Sequence, residues 1–153
     1  MEGAKLLQAM TSGQVLEDPR ILTRFVIHMF ADLKKHHYYY WFAFPAFVLP
    51  EIQAKVNLLK NELEQSTIQN LSKAYLVWKK ENPIQSGFFW FLVEELEIKI
   101  LSLIDGMETD SHAILAFADP STLPEHPGWP LRNLLAFMAV SYTHLTLPTI
   151  YSV

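Results

Sequence analysis

The densest group of chemistry-bearing side chains in the sequence is Lys34-Lys35-His36-His37, which runs directly into the aromatic block Tyr38 to Phe44. Two adjacent histidines on an extended segment point to opposite faces and cannot grip one ion together. His112 and His126 fall in predicted loops without an HxxxH or a carboxylate at ligand spacing. Glu94, Glu95 and Glu97 supply three carboxylates, which read as a solvated helix face. The glycines at 3, 13, 87, 106 and 128 are too dispersed for a phosphate-cradling loop. No serine sits in a GxSxG elbow. The chain has no cysteine, and so no thiol nucleophile and no thiolate ligand. The expectation is therefore no catalytic, cofactor-binding or metal-binding residues in this chain.

Lysines beside aromatics also have the composition of a stacking platform with phosphate contacts. Against that stand a net charge of −4, a sequence pI near 5.8 and the lack of a second large basic cluster. The aromatics are expected in a core. Lys34, Lys35, His36 and His37 are expected at an exposed corner, available to an acidic partner.

The elements that must hold this corner follow from periodicity. Asp18-Pro19 is an N-cap acceptor followed by proline at the first helical position. Leu22, Phe25, Val26, Met29, Phe30 and Leu33 then fall at helical spacing, which predicts an amphipathic helix. From His36 to Phe44 aromatics occupy both parities, which predicts a strand covered on both sides, with a bulge, an edge or the strand's end at Pro45. Ile52, Val56, Leu59 and Leu63 return to helical spacing, as do Ile68, Leu71, Tyr75 and Trp78. Ser66 and Gln69 either cap a second helix or lie inside one long helix. Lys79 and Lys80 suit a helix C-terminus, and Asn82-Pro83 stops it.

Phe88 to Val93 reads as a buried strand. Glu94 to Ile104 is open between strand and helix, because its apolar residues satisfy both periods. "HAILAFADP" predicts a short strand ending at a turn. In "PGWPLRNLLAFMAV", turn chemistry precedes a helix opened by Pro130 and carrying Leu131, Leu134, Leu135 and Met138. The class is mixed α/β (α+β), with helices packed on a small mixed sheet. At 153 residues, half of them apolar, the chain suits one domain with a real core. The absence of cysteine suits a reducing, cytoplasmic setting. The first residues lack the character of a signal peptide. The longest apolar run, Tyr38 to Pro50, is well short of the roughly 20 residues that a spanning helix needs.

Three stretches, "VLEDPRILTRFVIHMFADL", "FADLKKHHYYYWFAFPAFVLPE" and "HPGWPLRNLL", resemble in order and approximate spacing the N-terminal domain of the autophagy ubiquitin-like-modifier-activating enzymes. The resemblance covers Val15 to Leu49 and Phe117 to Phe137; Ile52 to Ile114 matches in general pattern only. It implies that chemistry is done elsewhere in a longer polypeptide, by an adenylation domain that uses ATP and a cysteine. This piece, residues 15–140 of the domain after a lead at 1–14, would help recruit autophagy conjugating enzymes. Ubiquitin-like modifiers would be bound by the remaining part, and the parent would be a homodimer. Neither nucleic acid nor a membrane span is implied. Lys34, Lys35, His36 and His37 are the expected partner contacts; Trp129 and Arg132 are further candidates with an equally good structural reading, since "PGWP" reads as a rigid turn feeding a helix. The alternative is a stand-alone aromatic interaction module for peptide or single-stranded nucleic acid.

One stretch departs from the family. "SYTHLTLPT", Ser141 to Thr149, is the translation of TCTTATACACATCTGACGCTGCCGACG, a string resembling a sequencing-library adapter. Residues 141–153 are accordingly expected to be a non-native tail.

Overall fold

The structure is a computed structural model in which residues 2–48, 57–85, 87–94, 97–109, 112–123, 126–141 and 151–152 are described. The chain opens with helix α1 (Glu2–Thr11) and the single turn α2 (Gln14–Glu17). In α1, Leu6, Ala9 and Met10 recur at helical spacing and are buried. Gly13, at φ 78, makes the break between the two helices, where a side chain would be strained.

The helix expected from Asp18 to Leu33 does not form. Asp18 does cap, accepting from the Arg20 N–H, and Pro19 does open a helical segment, but this is a 3₁₀ turn covering only Pro19–Thr23. Val26–Asp32 is strand β1, paired antiparallel with β2 (His37–Ala43) in the register Val26 opposite Ala43 to Asp32 opposite His37. Two forces override the helical spacing. Phe25, Val26, Ile27 and Phe30 are aromatic or β-branched and favour a pleated backbone. The Asp32 side chain favours a tight turn that brings the following strand back alongside.

β2 lies where a strand was expected and ends before Pro45. It is not buried on both sides: every residue from His37 to Ala43 is exposed. The reason is topological. β1 and β2 form a separate two-stranded ribbon, and neither belongs to the main sheet.

That main sheet is antiparallel with order β5-β4-β6, built from β4 (Phe88–Glu94), β5 (Glu97–Leu101) and β6 (Ile114–Phe117). Phe88 to Leu92 are all buried, as the continuous apolar run predicts. Within the open stretch Glu94 to Ile104, residues 97–101 form β5 and the short helix α5 (Leu103–Met107) follows, while Glu95 and Leu96 lie outside the described residues. Ser102 caps α5 by accepting from the Asp105 N–H. Glu94 and Glu97 therefore stand opposite each other across a hairpin, not along a helix face.

Before this sheet come a two-residue strand β3 (Asn57–Leu58), α3 (Leu59–Glu62) and α4 (Gln65–Glu81). The capping alternative is thereby decided. Two helices form, and the N-cap of α4 is Glu64, with Ser66 inside the helix. Lys79 and Lys80 lie in the last turn of α4 and Asn82 ends it. Ile52 and Val56 lie outside the described residues. Pro130 is the second residue of α6 (Trp129–Ser141), and a final two-residue strand β7 (Tyr151–Ser152) pairs parallel with β3. The rest of the expected non-native tail, residues 142–150 and 153, lies outside the described residues.

Alternation along β4 sorts the layers. Phe88 and Trp90 face a core of Leu6, Met10, Val15, Ile21, Leu22, Leu103, Leu134, Phe137 and Met138. Phe89 faces the other way, stacked on Tyr75 at 4.9 Å and packed against Trp78 of α4 at 5.8 Å. Burial of each large core side chain contributes about 1.5–3 kcal/mol. The mixed α/β class holds, with its strands divided among separate small sheets.

Candidate functional site

The basic quartet sits at the tip of the β1–β2 ribbon, at a hairpin turn rather than a helix-to-strand corner. Asp32 builds the turn: its carbonyl accepts the Lys35 N–H at 3.2 Å, and its Oδ1 accepts the N–H groups of Lys34 and Lys35, each at 3.2 Å. The Lys35 ammonium reaches the Asp32 carboxylate at 3.9 Å, an exposed pair worth about 0–1 kcal/mol. His36 takes the left-handed conformation at φ 52, which histidine tolerates better than most residues. His37 opens β2 with its ring edge-on to Tyr39 at 6.3 Å. Leu33, Lys34, Lys35, His36 and His37 are all exposed.

Trp129 and Arg132 lie elsewhere. Phe44, just past the base of β2, packs against the Trp129 ring at a centroid distance of 4.4 Å. Trp129 is half-buried, its Nε1 buried without a hydrogen-bond partner among the described residues, and Arg132 is exposed on α6. Base and tip of the ribbon are about 20 Å apart for a strand of this length. The six expected contact residues thus form two groups, one at each end of the ribbon.

Between those ends run two aromatic faces. Asp32, Phe30, His28 and Val26 share one face with His37, Tyr39, Trp41 and Ala43; Ala31, Met29 and Ile27 share the other with Tyr38, Tyr40 and Phe42. Phe30, Tyr39 and Trp41 stack along the first at 6.2–6.3 Å, and Phe25, Phe42 and Phe44 cluster at 6.0–6.4 Å on the second. This double-sided exposure departs from the core position expected for the aromatics, and its sign in the sequence is the apolar residues at both parities of "FVIHMF".

The ribbon's base is fixed to the body through Asn133, a fully buried residue of α6. Its side-chain amide donates to the Leu22 and Pro45 carbonyls at 2.9 Å each, and its Oδ1 accepts the Phe47 N–H at 3.3 Å. A shallow cleft beside this base is lined by Glu2, Lys5, Leu6, Ile21, Arg24, Phe25, Val26 and Pro45. Its charged residues include the Glu2–Lys5 ion pair, at 2.7 Å, and it holds no nucleophile–base pair. The Arg20 guanidinium, bonded to both carboxylate oxygens of Asp18 at 2.8 and 3.1 Å, holds that carboxyl below the usual carboxylate range. Among the described residues no group of three or more His, Asp or Glu side chains is placed to hold a metal ion, and no helix is long and apolar enough to cross a membrane.

The family model for the N-terminus of the ubiquitin-like modifier-activating enzyme ATG7 matches residues 1–151. The chain belongs to the ATG7 N-terminal family. Relatives named ubiquitin-like modifier-activating enzyme ATG7 share this region: that of Rattus norvegicus is 36% identical over 147 residues, that of Gallus gallus 34% over 143, and that of Homo sapiens 32% over 146. Each alignment covers 88% of this chain and 20% of the relative, so the chain spans about a fifth of the length of the curated relatives it matches. The match includes residues 1–14, where α1 lies, and the stretch Ile52 to Ile114, whose own resemblance to the family is one of general pattern. Autophagy and modifier activation are thus the setting of the ATG7 family to which this segment belongs.

Proposed function

We propose that this segment is a non-catalytic docking part of an autophagy modifier-activating enzyme, and that it helps recruit conjugating enzymes through the exposed tip Lys34, Lys35, His36 and His37. The observation that carries the reading is the tip itself: a basic turn held out from the body by two paired strands and shaped by the Asp32 side chain. An overall acidic chain that concentrates two lysines and two histidines at one projecting turn is suited to an acidic partner surface, where charge complementarity governs encounter and register. Adenylation with ATP, thioester formation and dimerisation would belong to the polypeptide outside this segment, acting in the cytoplasm.

Titration of the chain with an autophagy conjugating enzyme, followed by calorimetry at low and high salt, tests the reading. Binding is expected, with Lys34→Glu combined with Lys35→Glu weakening it about tenfold at low salt. A folded chain that does not bind, or that binds equally well with both charges reversed, overturns it.

A further inference from the structure

The β1–β2 ribbon exposes large apolar side chains equally on both faces: Phe30 and Trp41 are 57% and 56% exposed on one, Met29 and Phe42 61% and 57% on the other. An antiparallel pair that works at the surface keeps one polar face toward water. Neither face of this ribbon is polar throughout: His28, Asp32 and His37, its only ionisable groups besides tyrosine, share the first face with Phe30, Tyr39 and Trp41, and the second face has none of them. Each strand also has one edge unpaired among the described residues, with its outward N–H and C=O groups open to further strands. A single partner docked on one face would leave the other in water, so the arrangement calls for layers on both sides.

We propose that the ribbon is an interior layer of the complete family domain, covered on both faces by polypeptide that the relatives carry outside the matched segment. The occupant has the length to do this, because the matched segment is a fifth of each relative. Its position is set by the clamp at Asn133, which ties the base of the ribbon to the body. The basic tip stays at the end of the layer, where both faces stop. This inference rests on family membership and on exposure, and it stands whether or not the tip binds a conjugating enzyme.

Hydrogen exchange over residues 25–44 is measured in this chain alone and in the same chain joined to the remaining polypeptide of the rat relative. The joined chain is expected to slow exchange there roughly 100-fold. Two double variants then probe the faces: Phe30→Lys with Trp41→Lys, and Met29→Lys with Phe42→Lys. In the chain alone each pair leaves the main melting transition unchanged, while in the joined chain either pair lowers it by several degrees or abolishes folding. Equal exchange in the two chains overturns the proposal, as does tolerance of either pair in the joined chain. Protection in the chain alone that rises with protein concentration identifies a second copy as the occupant, and also overturns it. If the joined chain does not fold, exchange in the corresponding ribbon of the complete rat relative decides between protection and exposure.

Discussion

The side-chain amide of Asn133 donates to the carbonyl of Leu22 at 2.9 Å across a separation of 111 residues, and this bond is buried. With its bonds to Pro45 and Phe47, one side chain joins the 3₁₀ turn, the segment leaving β2 and helix α6. Replacement by leucine, close in size, leaves two carbonyls and one N–H without their partner. Asn133→Leu is expected to destabilise the chain by about 3 kcal/mol, read from urea unfolding followed by tryptophan fluorescence. Asn133→Asp should cost at least as much, because a carboxylate cannot donate to the two carbonyls.

Gly106 of α5 packs directly against Trp90, and a Cβ added there would overlap the indole ring and the Trp90 Cβ. Trp90 is buried in the core and cannot swing aside without moving its neighbours. Gly106→Ala should therefore lower stability by about 1–3 kcal/mol despite alanine's better helix propensity. A melting temperature at or above that of the parent chain would refute this.

Glu94 and Glu97 are direct cross-strand neighbours at the end of the β4–β5 hairpin, and both are exposed. Like charges in that position repel. Glu97→Lys replaces repulsion with attraction and should add about 0.2–1 kcal/mol, a gain that shrinks as salt is raised.

Asp18 supplies the pH dependence. Its carboxyl sits below its ordinary range because Arg20 bonds the ionised form. A depressed folded-state pKa means that the stabilisation is present above the unfolded value, roughly pH 4, and is lost as pH falls through the lower folded value. Asp18→Asn should flatten this part of the acid limb of a stability-against-pH curve, with little change in the basic limb.

His36 holds a left-handed conformation at the ribbon tip. A β-branched residue there is strained, so His36→Val should weaken the turn by about 1–3 kcal/mol and speed amide exchange in β1 and β2. The body of the protein should be unaffected. His36→Gly keeps the turn, and with it the exchange rates of the parent chain.

Much of this architecture was legible where one physical signal stood alone. Phe88 to Leu92 is apolar at every position and is a strand covered on both sides. Pro130 with Leu131, Leu134 and Met138 marks α6, and Lys79, Lys80 and Asn82 mark the end of α4. Val26, Met29, Phe30 and Leu33 misled, because their helical spacing is embedded in a run that is apolar at both strand parities, so no polar face reveals the period of two. Two further signals stand in the sequence: Leu6, Ala9 and Met10 at the spacing of α1, and Ser102 three residues before Asp105 as the cap of α5. Asn133 had no local signal at all. Its three partners lie 86 to 111 residues away, and only the folded chain brings them together.

Those separations have a consequence for the order of events during synthesis. The β1–β2 ribbon is made of adjacent strands and a tight turn, and hairpins of this kind close in about 1–10 μs. Its clamp is 88 residues downstream of Pro45, which at about 5–20 residues per second means several seconds of translation. Throughout that interval the emerging chain carries a formed or half-formed aromatic hairpin with nothing to anchor its base. Until Asn133 emerges the hairpin exposes both aromatic faces without its anchor, and slowing translation between Phe47 and Asn133 should raise the fraction of chains that aggregates.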